Sequence, residues 1–334
     1  MSGNTTKIIA VVIVLVIVAA AAVVLLRNDV SLNDGDGKES DSDHYPVTIS
    51  TMDYNASYVD MTFNERPTRV ITTNQMQTEM LLYFGLGEYI VGCAYLDNGV
   101  LPELLDEYNK LNVLSVKYPT LEQCVALQPD LILGWRSAFA DTALGSVNTW
   151  LPRGCNSYVV DQSSTIDGVL DVIANIGKIF NIEKKTDAYI EDAKNTLAAI
   201  QTSIDASGKE KPNVLLIEIY STGPMAYGGL SLPGSTIATA GGLNVFPDEK
   251  YPASSYESIA GLNPEKIIIM HFGNTDDTAA YDAAVKSVTE YKGWASVEAV
   301  VNGDVFPIGL ADMWGGGIRI IDSIQSIHDF LYED

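Results

Sequence analysis

An internal repeat on either side of a long helical segment constrains the fold more than any other feature of this chain. The first copy, residues 120–136, reads TLEQCVALQPDLILGWR, and the second, residues 255–271, reads SYESIAGLNPEKIIIMH. Between them, residues 161–212 carry apolar residues at three- and four-residue steps without an internal proline, which is typical of a helix pair. The pattern predicts two similar α/β lobes joined once by a helical spine, with a cleft between them that can hold a ligand.

The alignment of the two copies places Glu122 over Glu257 and continues through three further matched pairs. These pairs are Leu127 with Leu262, Pro129 with Pro264, and Asp130 with Glu265. Each copy also predicts a capping box at the start of its helix, formed by Thr120 with Gln123 and by Ser254 with Glu257. The strands that follow are apolar at nearly every residue. Continuous apolar strands that alternate with helices indicate a parallel sheet covered on both faces.

Composition excludes several classes of protein. With 334 residues, of which 47% are apolar, the chain is long enough to bury two cores. A net charge of −23 argues against nucleic acid and against charge-driven binding to an anionic membrane. Cys93, Cys124 and Cys155 form no CxxC pair and are odd in number, so we interpret them as buried apolar residues rather than a disulfide framework.

The N-terminal region predicts attachment to a membrane. Residues 8–26 form an unbroken apolar run, which as a helix would cross about 28 Å of hydrocarbon. We predict an N-terminal anchor over residues 1–27, with the alternative that small residues at 19–22 mark a cleavable signal peptide. No cysteine lies near the end of the run, so a lipid-modified cysteine is not expected. Residues 28–45 are acidic and predict a disordered tether, and Asn55 lies in a glycosylation sequon.

From about residue 46 onward, the chain resembles the substrate-binding proteins of ABC importers for metal chelates. The residues that carry the resemblance are RPTRVITT, TEMLLYFGLGEYIVG and LEQCVALQPDLIL, followed by a long helix and then by GGLNVF, SYESIAGLNPEKIII and VFPIG. This group contains vitamin B12-, ferric siderophore- and haem-binding proteins, and the motifs LILGWR and YP look most like its B12-binding branch. Tyr251 and Met225 depart from that branch, which tends to place Trp and Phe there.

The resemblance implies a class III periplasmic binding protein, with two Rossmann-like lobes, mostly parallel sheets and a single helical linker. The expected lobes are residues 46–165 and 212–334, with the spine over 166–211. The implied function is capture of a metal chelate in the cleft and its delivery to an ABC permease dimer with its ATPase. The expected location is the outer face of the cytoplasmic membrane. Neither catalysis nor a resident cofactor is implied, and a monomer is expected.

In the family, one glutamate on each lobe docks on paired arginines of the permease. The repeat carries this role to Glu122 and Glu257. The alternative is that each acid only stabilises the first turn of its helix through the helix dipole, a contribution of roughly 0.3–1 kcal/mol. The same acid in both lobes is better explained by a partner with two equivalent arms.

The resemblance also implies which residues line the cleft, and they fall in loops after strand ends, where open α/β sheets place ligands. These residues are Tyr95, Trp135, Met225, Tyr227, Tyr251 and Trp314. Aromatic faces supply apolar area for a bulky planar ligand, although each ring taken alone is more often packing than contact. Arg136 is expected to meet an anionic part of the ligand, or to be an ordinary surface arginine.

Three alternatives stay open at this stage. His44, His271 and His328 are scattered, so direct metal ligation is not expected, although Asp312 could approach His271 at a strand end. A hydrolytic enzyme is suggested only superficially by GGLSLPG, and the glycines at 315–317 are a weak phosphate-binding signal. A tethered sensor or scavenger would hold the chelate without a permease. The sequence does not decide between a corrinoid, haem and a ferric siderophore. The matches at Trp135-Arg136 and Tyr251-Pro252 favour a corrinoid.

Overall fold

The computed structural model describes residues 41–160, 165–273 and 278–333. The predicted membrane anchor and most of the predicted tether lie outside the described residues, and so do residues 161–164 and 274–277. Within the described ranges, none of the helices combines the length and the apolar character needed to cross a membrane.

The chain alternates strands and helices over most of its described length. The strands are β1 Val47–Met52, β2 Tyr58–Phe63, β3 Val70–Thr72, β4 Ile90–Ala94, β5 Val113–Ser115, β6 Leu131–Trp135, β7 Asn156–Val160, β8 Asn213–Tyr220, β9 Gly223–Ala226, β10 Leu243–Asn244, β11 Lys266–His271 and β12 Val305–Gly309.

The helices are α1 Asp41–His44, α2 Gln75–Tyr83, α3 Leu105–Tyr108, α4 Leu121–Ala126, α5 Val147–Trp150, α6 Ile166–Phe180, α7 Glu183–Ser207, α8 Leu232–Ala240, α9 Tyr256–Leu262, α10 Thr278–Thr289, α11 Glu298–Asn302, α12 Leu310–Met313 and α13 Ile320–Tyr332.

These strands form two separate five-stranded sheets and one hairpin. The first sheet has the order β5-β4-β3-β6-β7, and all its pairs are parallel. The second has the order β10-β8-β11-β12, with β9 antiparallel on β8. We call each sheet with its helices a lobe. The prediction of an α/β fold with mostly parallel sheets is therefore confirmed, whereas the predicted lobe boundaries stay predictions.

The second sheet is covered on both faces, as its continuous apolar strands predict. Along β8, Val214 and Leu216 belong to a core that is continuous with the first lobe. Leu215 and Ile217 belong to a second core on the opposite face, with Trp294. Successive side chains of a strand point to opposite faces, so an unbroken apolar run fills two cores at once.

The repeat seen in the sequence is a repeat in three dimensions. Asp130 accepts hydrogen bonds from the backbone N–H groups of Thr68 and Arg69, at 2.8 and 2.9 Å, immediately before β3. Glu265 accepts one from the backbone N–H of Asn213, at 2.8 Å, at the start of β8. In each lobe, therefore, the acid that opens one strand fixes the beginning of the neighbouring strand in the sheet.

The two copies also share an unusual backbone conformation. Gln128 and Asn263 occupy equivalent positions after their helices, and both are left-handed, with φ of 47° and 45°. Glycine and asparagine visit this region more readily than other residues, so Asn263 suits its position better than Gln128 does.

One of the two predicted capping boxes is confirmed and the other is wrong by one residue. Thr120 and Gln123 form the expected reciprocal pair at the start of α4. At the start of α9, the cap is Ser255 and its partner is Ser258, rather than Ser254 with Glu257. The Ser254 hydroxyl instead accepts a hydrogen bond from the backbone N–H of Ala226 at 3.2 Å.

Helices α6 and α7 connect the two lobes in sequence and pack closely on each other. A Cβ on Gly177 would lie 2.1 Å from the Thr186 hydroxyl, so a glycine is required where the helices meet. Apolar residues of α6 and α7, including Ile173 and Ile200, join the core that extends into both lobes. The spine is thus part of the core.

The hairpin and the cysteines complete the description. Strands β1 and β2 pair antiparallel, and the Thr51 hydroxyl bonds to the backbone of Val159 on edge strand β7. All three cysteines are free and buried, as predicted. Burial raises the pKa of Cys93 to about 11 and of Cys124 to about 12, which keeps these thiols protonated and unreactive at neutral pH.

Candidate functional site

The carboxyl ends of the strands of both sheets meet at one boundary, which we call the seam. Asn98 follows β4 of the first lobe and contacts residues of the second lobe. Its side-chain amide donates to the backbone oxygen of His271 at 3.2 Å, and its carbonyl accepts from the backbone N–H of Ala311 at 2.7 Å. A backbone bridge also pairs Asn98 with Gly273. Open α/β sheets bind ligands at this edge, so the seam is the candidate site.

A buried ion pair joins the lobes beneath the seam, and we call it the cross-lobe ion pair. Arg319 Nε of the second lobe donates to Glu79 Oε2 of the first at 2.7 Å. Arg319 Nη1 donates to Asp312 Oδ1 at 2.8 Å, and Nη2 donates to the backbone oxygen of Gly99 at 2.7 Å. Removing one member of such a buried pair typically costs about 3–5 kcal/mol, so this network fixes the lobes relative to each other.

Three of the aromatic residues predicted to line the cleft come together in the second lobe, and we call them the ring cluster. Tyr227 lies 5.5 Å from Trp314 and 6.1 Å from Tyr251 between ring centroids. Tyr251 and Trp314 are 6.0 Å apart. Tyr251 is 47% exposed, whereas Tyr227 is 2% exposed. The cluster therefore offers an exposed aromatic surface on a buried base.

Glycine makes the ring cluster possible. A Cβ on Gly228 would lie 2.2 Å from the backbone oxygen of Glu249, so only glycine lets the segment before Tyr251 lie against the segment after Tyr227. The backbone N–H of Gly228 donates to the oxygen of Lys250 at 3.1 Å and holds that contact. The glycines that follow Tyr227 in the sequence thus determine where Tyr251 lies.

The first lobe contributes a smaller aromatic pair. Tyr95 and Tyr118 have ring centroids 5.1 Å apart, and the Tyr118 hydroxyl lies 2.7 Å from the Ser137 hydroxyl. Tyr95 has a φ of 60°, a conformation in which aromatic residues are rare. Strained backbone of this kind is concentrated at functional sites. Burial raises the pKa of both phenols, which therefore stay protonated at neutral pH.

The remaining predicted cleft residues lie near strand ends but outside the two aromatic groups. Trp135 ends β6 and is only 8% exposed, and Arg136 after it is exposed. Met225 is half-buried on β9, opposite Glu218. Among the ring contacts of the described residues, none connects Trp135 to Tyr95 or to the ring cluster. The structure therefore brings Tyr227, Tyr251 and Trp314 together, whereas Trp135 shares no ring contact with them among the described residues.

Glu122 and Glu257 are both exposed in the first turn of their helices. Helices α4 and α9 each lead into a parallel strand, β6 and β11, through a short connection. A helix that precedes a parallel strand runs antiparallel to it, so its N-terminus lies at the carboxyl edge of the sheet. Both glutamates therefore lie on the rim of the seam, one on each lobe.

The histidines have structural surroundings. The ring of His271 packs against that of Tyr281, with 4.3 Å between the ring centroids. Asp312, which the sequence suggested as a neighbour of His271, accepts a hydrogen bond from Arg319. His328 lies 3.0 Å from the Ser203 hydroxyl and 3.1 Å from the backbone oxygen of Ala240. In the part of the chain that the structure describes, no three His, Cys, Asp or Glu residues form a group that could hold a metal ion.

The two enzyme-like sequence motifs also have structural roles. Ser231 caps α8, since its hydroxyl accepts from the backbone N–H of Gly234 at 3.1 Å and donates to the oxygen of Gly228 at 2.7 Å. A Cβ on Gly317 would lie 2.6 Å from Met76 Cγ, so this glycine allows the lobes to approach. Neither motif presents a reactive group to the seam.

Sequence reasoning missed the buried polar residues of the seam: Glu79, Asp97, Asn98, Glu218 and Arg319. For two of them the sequence contains a signal. Glu218 interrupts the apolar strand NVLLIEIY, and Glu79 is the one charged residue of the helix QMQTEMLLY, in which the residues next to it are buried. A charged residue in such a position needs a buried partner.

The sequence match to a known family agrees with this architecture. A family model described as "Periplasmic binding protein" matches residues 70–309. The matched region begins where β3 begins and ends where β12 ends, so it contains both sheets and the spine. The chain belongs to the periplasmic binding protein family.

Individual relatives are distant but extend over most of this periplasmic binding protein. The uncharacterized ABC transporter substrate-binding lipoprotein YvrC of Bacillus subtilis is 24% identical over 297 residues, which is 87% of this chain and 87% of that protein. The cobalamin-binding protein of Halobacterium salinarum is 25% identical over 254 residues, which is 73% of this chain and 64% of that protein.

A solved structure shows the same fold. The crystal structure of a periplasmic binding protein from Veillonella parvula superposes with a TM-score of 0.78 at 22% sequence identity. The superposition includes 86% of this chain and 99% of that one.

Proposed function

We propose that this protein is the extracytoplasmic substrate-binding component of an ABC importer and that it captures a metal chelate in the seam. The observation that carries the proposal is the meeting of two carboxyl sheet edges at a seam with aromatic rings on both lobes, Tyr95 and Tyr118 on one and the ring cluster on the other. Large rings that are partly exposed suit a broad, planar ligand. The relatives named above support an importer, and one of them is a cobalamin-binding protein.

The proposed delivery step uses the rim of the seam. Glu122 and Glu257 lie at equivalent places on the two lobes, so a permease dimer with a basic group on each subunit can contact both at once. Since exposed charges contribute mainly to orientation and association rate, these two would align the seam with the entrance of the permease.

The proposed location is the outer face of the cytoplasmic membrane, with residues 1–27 as the anchor and the acidic segment up to residue 45 as the tether. The relative in Bacillus subtilis is named a lipoprotein. In the proposal, the apolar run over residues 8–26 attaches this chain to the membrane.

Binding can be measured from the fluorescence of tryptophan. The full-length chain in detergent would be titrated with cyanocobalamin, haemin and ferrioxamine B. We expect at least one chelate to quench the emission with a Kd below about 10 μM, which corresponds to about 7 kcal/mol. The Trp314→Phe variant should lose much of the quenching, because the other three tryptophans, Trp135, Trp150 and Trp294, are buried. Absence of binding by all three chelates would contradict the proposal.

A further inference from the structure

The floor of the seam carries two buried carboxylates, one from each lobe. Asp97 follows β4 in the first lobe and is 7% exposed, and Glu218 lies near the end of β8 in the second and is 6% exposed. Burial, reinforced by the negative charge of Glu218, raises the pKa of Asp97 to about 6. Glu218 pairs with Met270 of β11, and the backbone oxygen of Asp97 accepts from the N–H of Gly273 just beyond β11, so the two acids lie on adjoining segments at the boundary between the lobes.

The backbone of Asp97 is held in place, but its side chain is not bonded. The backbone N–H donates to Gln75 Oε1 at 2.9 Å, and the backbone oxygen accepts from the N–H of Gly273 at 3.1 Å. No hydrogen bond to the Asp97 carboxylate is found among the described residues. The carboxylate lines a small cavity of about 10 Å³ together with Met76 and Gly315. A buried carboxylate in a fixed loop without a donor indicates that the donor comes from elsewhere.

Phenols surround the two acids and extend the polar floor in both directions. The Tyr227 hydroxyl donates to Glu218 Oε2 at 2.8 Å. Tyr220 also interacts with Glu218, and Tyr95 interacts with Asp97. Burial raises the pKa of Tyr220 to about 12, so this phenol stays neutral at pH 7. The floor of the seam is therefore negative, because the neutral phenols do not offset the charge of the two carboxylates.

Three basic residues lie near the seam, and none of them forms a hydrogen bond or ion pair with Asp97 or Glu218 among the described residues. Lys250 is exposed, with its Nζ 5.7 Å from the centroid of the Tyr251 ring. Arg319 lines the same small cavity as Asp97, but its guanidinium already bonds to Glu79 and Asp312. The two negative charges of Glu79 and Asp312 already outnumber the single positive charge of Arg319, even without Asp97 and Glu218. Arg136 is exposed immediately after β6.

We propose that Asp97 and Glu218 together receive an N–H donor group of the bound chelate, an ammonium or a carboxamide, and that they disfavour chelates with carboxylates on the same face. This inference rests on the proposed function and narrows its ligand class. A donor from the ligand would satisfy the vacant Asp97 oxygens, whereas a ligand carboxylate would add a third negative charge in a region of low dielectric constant.

Two kinds of chelate carry suitable donors. Corrinoids bear peripheral carboxamides, and some ferric hydroxamates bear a pendant ammonium. The shared chemistry is an N–H group outside the metal's coordination sphere, so matched pairs of probes separate it from the rest of each ligand. Cyanocobalamin is compared with its derivatives in which side-chain amides are hydrolysed to carboxylates. Ferrioxamine B is compared with its N-acetylated form, in which the ammonium is lost and the iron site is unchanged.

The experiment titrates the full-length chain in detergent with both pairs and with haemin. We expect the amide corrinoid or the ammonium hydroxamate to bind at least about tenfold more tightly than its matched partner, a ratio that corresponds to about 1.4 kcal/mol. Better binding in the corrinoid pair identifies a carboxamide ligand, and better binding in the hydroxamate pair identifies an ammonium ligand. Haemin, with its two propionates, should bind more weakly than the better probe.

Two variants test the residues themselves. Asp97→Asn keeps the shape and supplies an N–H, so it should reduce the ratio within the preferred pair to about threefold or less. Glu218→Gln should act in the same direction. Glu122→Gln makes the same change of charge on the rim and should leave the ratio unchanged. Thermal unfolding of each variant checks folding, and Asp97→Asn should unfold no earlier than the parent because it removes an unpaired buried charge.

The outcomes separate this inference from the proposed function. If neither pair shows a preference, if haemin binds as tightly as the better probe, or if Asp97→Asn and Glu218→Gln leave the ratio intact, the inference is wrong while the chelate-binding function stands. If no chelate binds, the proposed function fails and the inference fails with it.

Discussion

The two lobes carry the same helix-strand unit and differ at the edge that faces the seam. In both, an acid after the shared proline fixes the neighbouring strand, and an exposed glutamate lies in the first helical turn. At the seam, the first lobe presents two tyrosines and Asp97, and the second presents the ring cluster and Glu218. The features that both lobes share serve folding and the proposed docking to the permease. The residues that differ between the lobes serve the proposed recognition of the ligand.

The largest expected effect tests the symmetry of the rim. We expect the double variant Glu122→Arg/Glu257→Arg to abolish chelate uptake and each single variant to reduce it, because reversal of charge repels a basic docking site on the permease. The measurement is uptake of radiolabelled chelate by cells in which the variant is the sole binding protein.

Chelate affinity should not change in these variants, since both glutamates lie on the rim, outside the ring cluster. The exposed carboxylate Asp60 on β2 supplies a control, because Asp60→Arg should leave uptake intact. Unchanged uptake by the double variant would show that the matched glutamates serve only the helix termini.

A smaller effect is expected from Asp130 and Glu265, the two half-buried acids that anchor a neighbouring strand in each copy of the repeat. Asp130 accepts three hydrogen bonds, including one from the Thr68 hydroxyl, and Glu265 accepts two. Hydrogen bonds to charged groups contribute roughly 1.5–3 kcal/mol, so we expect Asp130→Ala to cost about 3 kcal/mol and Glu265→Ala about 2 kcal/mol. The midpoint of urea unfolding measures both.

For these anchors, Asp60→Ala is the matched control and should change the free energy of unfolding by less than about 0.5 kcal/mol. A cost for Glu265→Ala that exceeds the cost for Asp130→Ala would contradict the explanation by the number of hydrogen bonds that each acid accepts.

The smallest effect concerns the left-handed residues, where the two copies should respond with opposite sign. Gln128→Gly should stabilise the protein by about 0.5–1 kcal/mol, because glycine removes the strain of a left-handed side chain. Asn263→Gly should be neutral or destabilising, because the Asn263 side chain accepts a hydrogen bond from the backbone N–H of Glu298 at 2.9 Å. Thermal melting compares the two variants, and stabilisation by both would show that this hydrogen bond contributes nothing.

The fold could be predicted because its signals are local. The apolar runs of β6, β8 and β11 gave parallel sheets, and the box at Thr120 gave the start of α4 correctly. The second box was placed one residue early, since serines at 254, 255 and 258 offer more than one reciprocal pair. Only the path of the backbone decides which serine caps the helix.

The candidate site was predicted in part, for a physical reason. The three residues of the ring cluster were named from the family resemblance, and the structure shows that their rings lie together, while their role in binding stays a prediction. The cross-lobe ion pair joins Glu79 to Arg319, which are 240 residues apart in the chain, and the Asp97 and Glu218 pair comes from opposite lobes. Such pairs depend on how the lobes pack together, and no local pattern records that arrangement.

The cross-lobe ion pair holds the two lobes at a set distance before a ligand binds. In the proposed function, a ligand that matches this spacing would bind without a closing motion of the lobes. A broader ligand would be excluded, because widening the seam would break the buried pair of Arg319 and Glu79.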